Sequence, residues 1–173
     1  MRILIFSFAL VSVVLSSNVA RADGYFKAGL LYVSDKSGSE GTPGDTTRTL
    51  MDFGAGYQDP KGWLLGALYS SDKTSSGGNS VDRTAMGPTI GWMATKDNGA
   101  FIMATYLYTA TYSTMNGSGY KIDLGYKFLI GKVGLGAQLS KTTITYDKAN
   151  GAAMSPKYIE DKLDPFIVMI ITF

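Results

Sequence analysis

The sequence predicts an all-β fold: an eight-stranded antiparallel up-and-down transmembrane β-barrel over residues 23–173, behind a signal peptide over residues 1–22. Three observations predict it. Segments of strand length alternate apolar and polar residues with period 2. The stretches between them are alternately long and short, as in a barrel with short turns at one end and longer loops at the other. Of the 173 residues, 45% are hydrophobic and only 17% charged, against about 25% charged in soluble domains. Yet no run beyond residue 22 approaches the roughly 20 apolar residues of a spanning helix.

Composition excludes several functions. The chain has Cys 0 and His 0, so a Ser-His-Asp triad, a Cys-His pair and an imidazole metal site are all ruled out. Its formal charge is +2, from 16 basic and 14 acidic residues. Two of the basic residues, Arg2 and Arg21, fall in the leader, which has no acids; residues 23–173 are therefore balanced, and charge gives no reason to expect nucleic acid. The 21 glycines exceed the usual share of about 7%.

The elements follow in order. Arg2, the apolar run Ile3 to Leu15 broken only by Ser7 and Ser12, and Ala20-Arg21-Ala22 before Asp23 have the layout of a secretory signal peptide cleaved after Ala22. No cysteine follows, which excludes a lipoprotein. Strands are expected near 24–34, 47–58, 62–72, 82–95, 99–113, 118–130, 132–147 and 158–173. Between them, Asp35 to Thr46, Asp72 to Val81 and Lys148 to Lys157 read as long polar loops and Ser113 to Gly117 as an intermediate one. Asp59-Pro60-Lys61, Lys96-Asp97-Asn98 and Gly131 read as tight turns. Pro88 removes a ladder donor from the fourth strand and predicts a bulge there; Pro165 poses the same problem in the last strand.

Volume decides which face is inside. In the sixth strand Tyr120, Ile122, Leu124, Tyr126, Phe128 and Ile130 oppose Lys121, Asp123, Gly125, Lys127 and Leu129. In the second, Met51, Phe53, Ala55 and Tyr57 oppose Arg48, Leu50, Asp52, Gly54 and Gly56. In the seventh, Val133, Leu135, Ala137 and Leu139 oppose Gly134, Gly136, Gln138 and Ser140. Phe101 breaks the parity of Ile102, Ala104, Tyr106 and Tyr108 in the fifth. Eight strands leave an interior just wide enough for side chains to fill. The bulky face cannot point inward from every strand, and in water it would be a very large apolar patch. It therefore faces lipid, with Tyr25, Tyr57, Trp63, Tyr69, Trp92, Tyr112, Tyr120 and Tyr146 as candidates for two aromatic girdles. A soluble lipocalin-like carrier, with the bulky face inside, is the competing architecture.

The candidate site is a lumenal charge cluster of Arg48, Asp52, Lys121, Asp123, Lys127 and Gln138, with Lys27 and Lys132 as further members. Strands two and six lie opposite one another in a ring of eight, so long side chains from both can meet. Leu31, Leu64, Leu68, Met103, Leu107 and Leu129 are candidates to pack the lumen. No metal or cofactor is expected: Asp35, Glu40 and Asp45 lack EF-hand spacing, and Ser75-Ser76-Gly77-Gly78 is not followed by a P-loop lysine.

The last segment, Pro165 to Phe173, alternates with Ile167, Met169 and Ile171 on the face of Phe173. It resembles the terminal strand of Gram-negative outer-membrane barrels. With the leader and the hairpin pattern, residues 23–173 resemble a small barrel of the OmpA/OmpX/OmpW type, without the peptidoglycan-binding domain of the full OmpA design. The resemblance implies location in the outer membrane, lipid bilayer and lipopolysaccharide as surroundings, and an assembly machinery that reads the strand ending at Phe173. A monomer without a nucleic-acid partner is expected. The barrel enzymes of similar size use a histidine, which is absent here, so no enzyme is expected. Two roles remain: a plugged structural and surface-interaction protein presenting external loops, or a narrow channel or OmpW-like conduit for small, including hydrophobic, molecules.

Overall fold

A computed structural model describes residues 23–39, 42–94, 98–131 and 133–173. Eight strands follow one another: β1 (Asp23–Ser39), β2 (Thr42–Gln58), β3 (Trp63–Ser76), β4 (Asn79–Met93), β5 (Gly99–Tyr112), β6 (Met115–Ile130), β7 (Val133–Ala149) and β8 (Ala152–Thr172). Each pairs antiparallel with the next, and β8 closes on β1. Registered partners lead from Tyr25 through Gly56, Gly66, Thr89, Thr105, Lys121 and Thr142 to Lys162. Across the closing seam Tyr25 pairs with Thr172, so the ring has a stagger of ten residues. A stagger of this kind is what tilts barrel strands by about 35–45°.

The predicted parity holds. The outward face carries Phe53, Ile90, Ile102, Leu124, Phe128 and Ile167, all exposed. No aqueous surface of a monomeric protein carries apolar cover on this scale, and the barrel is transmembrane. The belt runs from Tyr120 to Ile130 on β6 and from Leu163 to Ile171 on β8, about the 9–11 residues a tilted spanning strand needs. Trp63 and Trp92 pair on the lipid face at one end; Tyr106 and Tyr120 pair on it toward the other. Beside that second pair, on β7 and β8, an exposed Lys141–Asp161 ion pair at 2.5 Å marks the polar border.

Phe101 keeps the parity of its strand: Phe101, Met103, Thr105 and Leu107 are buried, and Ile102, Tyr106 and Tyr108 face lipid. The ring fits because its cross-strand partner is Gly125, where a Cβ would collide with the Phe101 ring. A glycine covered by an aromatic neighbour in this way is a recurrent device in barrels. The bulge expected at Pro88 is present as a register shift between Met86 and Thr89. Pro165 resolves differently. It pairs with Leu139 of β7, while the ladder to β1 ends at Leu30 and Ile167.

Two expectations are corrected. The long loops are strand. Gly77-Gly78 and Asn150-Gly151, all with positive φ, turn β3 into β4 and β7 into β8 within two residues, the geometry of type I′ hairpins. Thr, Ser and Val around them sustain the ladder. Three of the proposed girdle residues are inside: Tyr25 and Tyr146 are fully buried and Tyr112 is half-buried at the lumen mouth. Tyr25 shares the parity of Lys27 and lies over Gly66, which has no side chain to obstruct its hydroxyl. Tyr57, Trp63, Tyr69, Trp92 and Tyr120 do face lipid. The leader, Glu40, Asp97 and Lys132 lie outside the described residues.

Gly125→Val should lower folding stability by about 1–3 kcal/mol through overpacking against Phe101 and the Ala137 carbonyl. Gly134→Ala should be close to neutral, because the nearest atoms its Cβ would meet are the flexible Lys127 stem at 3.2 Å and 3.5 Å and the Ile170 carbonyl oxygen at 3.5 Å. Urea titrations of the refolded protein in lipid vesicles, followed by tryptophan fluorescence, measure both.

Candidate functional site

The lumen is filled in layers. Nearest the chain termini and the short turns, Tyr25, Leu64, Met93, Phe101, Val168 and Ile170 form an apolar base. Lys127 reaches this end; it is buried, and its Nζ has no hydrogen-bond partner among the described residues.

Above the base lies a first charged layer. Lys121 of β6 donates to Asp52 of β2, directly across the ring. Lys27 of β1 donates to Asp123 of β6 at 2.7 Å and to the Gln138 Oε1 of β7 at 2.9 Å. Gln138 in turn donates to Ser140 at 2.7 Å. The Lys121 ammonium also lies 3.9 Å from Asp123 and 4.7 Å from the Phe166 ring centroid. All five ion-pair and amide groups are at most 3% exposed. Each lies on the inward face of its strand, and the small residues interleaved with them, Gly54 and Gly125, leave room for long side chains to cross.

A second charged layer lies toward the hairpin turns. The Arg48 guanidinium holds two carboxylates at once, Asp72 at 2.9 and 3.1 Å and Asp164 at 2.6 and 3.0 Å; such two-pronged pairs are the strongest arginine contacts. Asp72 also accepts from Arg83 and Lys162, each at 3.0 Å. Glu160 accepts from Arg83 at 2.9 Å, Lys162 at 2.8 Å and the Tyr146 hydroxyl at 3.2 Å. Three cations and three carboxylates therefore compensate one another, and Tyr112 stacks on Arg83 at 4.2 Å. Groups of both layers, with Leu50, Leu107 and Ile144, line a cavity of about 40 Å³. A water needs roughly 10–15 Å³ measured this way, so the cavity has room for a small water cluster.

Sequence reading places Asp52, Lys121, Asp123, Lys27 and Gln138 together, and the structure joins them. It divides the rest of the predicted cluster. Arg48 belongs to the second layer, two inward positions beyond Asp52 with Leu50 between them, and Lys127 stands apart at the base. Asp72, Arg83, Glu160, Lys162 and Asp164 were not predicted for the lumen. Parity alone finds them: Asp72 continues the inward series Leu64, Leu68, Ser70, and Asp164, Lys162 and Glu160 continue inward from Phe166. Leu64, Leu68, Met103 and Leu107 pack the lumen as expected, with Leu31 and Leu129 half-buried.

Comparisons with known proteins add little beyond this geometry. No protein-family model matches the chain, and no curated protein matches it. Among solved structures it is similar to OmpT, an outer membrane protein of Vibrio cholerae. The trimer form of in-vitro folded OmpT and the outer-membrane expressed protein each match at TM-score 0.38, with 15% identity over 87% of this chain and 52% of theirs. A further in-vitro folded form matches at 0.37. The chain thus spans about half the length of the solved chains it matches.

Lys121→Met strands the Asp52 carboxylate and should cost about 3–5 kcal/mol in urea unfolding. The double change Asp52→Leu/Lys121→Met should recover most of that loss, because an apolar pair replaces a desolvated ionic one. Lys141→Ala, which breaks only the exposed pair with Asp161, should leave the midpoint unchanged.

Proposed function

We propose that the protein is an integral outer-membrane barrel with a side-chain-plugged lumen, acting as a structural and surface-interaction protein. What it presents outside is four hairpin extensions of the sheet rather than loops. The observation that carries this reading is the first charged layer. Asp52, Lys121, Asp123 and Lys27 reach across the ring from opposite strands and occupy its axis above an apolar base. An aqueous path would need those contacts removed together.

In this reading the segment 1–22 is a signal peptide removed near Ala22, and the short turns and both chain ends face the periplasm. The outer-membrane assembly machinery engages the strand ending at Phe173. Bilayer lipid and lipopolysaccharide surround a monomer that binds no nucleic acid and needs no cofactor. No catalysis is assigned to the role, since the barrel enzymes of similar size rely on a histidine and this chain has none. One observation favours a second reading, a conduit for small molecules: the cavity beyond the first layer is walled partly by Leu50, Leu107 and Ile144.

Conductance of the refolded protein in planar bilayers tests the plug. The native chain should show no steady openings. Removing the whole first layer with Lys27→Ala/Asp52→Ala/Lys121→Ala/Asp123→Ala should produce small, persistent ones. Steady openings of the native chain would overturn the plugged reading in favour of a channel.

A further inference from the structure

Three of the 11 tyrosines meet where the lumen opens at the hairpin end. Tyr112 ends β5, Tyr146 stands on β7, and Tyr158 is the registered partner of Tyr146 on β8. The ring centroids of Tyr112 and Tyr146 are 6.0 Å apart and those of Tyr146 and Tyr158 5.9 Å. Tyr112 and Tyr158 are 6.3 Å apart and stacked, with 28° between the ring planes. Tyr146 is fully buried, Tyr112 half-buried and Tyr158 43% exposed, so the cluster leads from the interior to water.

Their surroundings fit them for different parts in a one-electron oxidation. A tyrosine that gives up an electron becomes a strong acid and must shed its phenolic proton. Tyr146 donates to the Glu160 Oε2 at 3.2 Å, so an acceptor for that proton is in place. Arg83 and Lys162, which hold Glu160 at 2.9 and 2.8 Å, both also hold Asp72 and keep a carboxylate partner when Glu160 is protonated. The Arg83 guanidinium lies 4.2 Å over the Tyr112 ring and opposes positive charge there. A first electron vacancy therefore settles on Tyr146, where burial withdraws it from dissolved reductants.

We propose that this cluster is an oxidative cross-linking site. Water-borne one-electron oxidants, such as peroxyl radicals, join Tyr112 to Tyr158 as a dityrosine that straps β5 to β8 across the mouth, and Tyr146 with Glu160 holds the first oxidising equivalent until the second arrives. The first equivalent takes an electron from exposed Tyr158, and Tyr146 replaces it while its own proton passes to Glu160. The second takes another electron from Tyr158. Tyr112 then refills Tyr146, Glu160 returns the proton, and the Tyr112 and Tyr158 phenolic protons go to water. The two neutral radicals form one carbon–carbon bond between ring positions ortho to the hydroxyls. The hydrogens displaced from those positions restore the two hydroxyls by way of water. In sum two electrons pass to two oxidant equivalents and two protons to water. The site goes beyond the plugged-barrel reading and needs only the fold, not the direction of the barrel in the membrane.

The test uses the refolded full chain in lipid nanodiscs, with tris(bipyridine)ruthenium and persulfate under light as the one-electron oxidant. Cleavage after lysine then gives peptide 97–121, which carries Tyr112, and peptide 158–162, whose one tyrosine is Tyr158. These two peptides should be the main linked pair, with the bond placed by tandem mass spectrometry on Tyr112 and not on the lipid-facing Tyr106, Tyr108 or Tyr120. Its yield in the native chain should follow the total light dose and not the intensity. Tyr146→Phe and Glu160→Gln should keep the link under intense light, which also shows that they fold, and lose most of it when the same dose is delivered slowly. A main link elsewhere, or no link within the folded native chain, overturns the site. Variants that match the native chain at both intensities, or lose the link at both, overturn the holding role of Tyr146 and Glu160.

Discussion

Closure of a narrow ring in lipid is the constraint on which the rest of this structure depends. Eight strands with a ten-residue stagger satisfy the backbone almost all the way round and leave an interior only a few side chains wide. The bulky residues must therefore point outward, and the inward positions must alternate between very small and very long ones. Gly125 is a clear case. Its missing side chain lets the Phe101 ring lie against β6, which builds the apolar base. On the same face of β6, two and four positions away, stand Asp123 and Lys121. A charged group in that interior survives only when partnered, and the nearest available partners stand on opposite strands. The ion pairs of the first layer are thus imposed by closure, and they cross-brace the ring that imposed them.

The sequence made the half of the barrel nearest the chain termini legible and hid much of the other half, for a physical reason. Within the membrane the two faces of a strand see different solvents, so Lys121–Ile122–Asp123–Leu124 announces its parity in side-chain chemistry. Beyond the polar border both faces see water. Ser75, Ser76, Asn79 and Ser80 then show no contrast, although the backbone continues to alternate through them. Loss of contrast reads as loss of strand, and the segments around Asp72 and Glu160 look like loops. The turn dipeptides Gly77-Gly78 and Asn150-Gly151 were the better signal, because positive φ at both positions is what a two-residue hairpin requires. With those turns fixed, counting by twos from Leu68 and from Phe166 reaches Asp72, Asp164, Lys162 and Glu160. Which of them would join Arg48 depends on the stagger, a property of all eight registers together that no single segment encodes.

The two charged layers differ in what they hold. The first joins β1, β2, β6 and β7 through groups almost fully withdrawn from solvent, and it sits where the backbone ring is complete. The second joins β2, β3, β4 and β8 through partly exposed groups, with side-chain exposure of 23% at Arg48 and 22% at Lys162. It sits where the ring lacks its β1–β8 ladder. A backbone ladder has fixed geometry and no alternative partner. Two-pronged arginine–carboxylate pairs can exchange one partner for another of like charge without leaving a buried group bare. Ion pairs are therefore suited to the part of the wall that has no backbone ladder to close it.

That difference bears on what it would cost to open each layer. In the plugged reading, axial passage requires breaking the first layer, whose groups are at most 3% exposed, at a cost of several kcal/mol for each group left alone. Rearrangement of the second layer requires only that Arg48, Arg83 and Lys162 redistribute among Asp72, Asp164 and Glu160, which already share them. Pro165, two residues beyond Ile167 where the β1–β8 ladder ends, divides the seam: it leaves the lower seam to hydrogen bonds and the upper seam to charge.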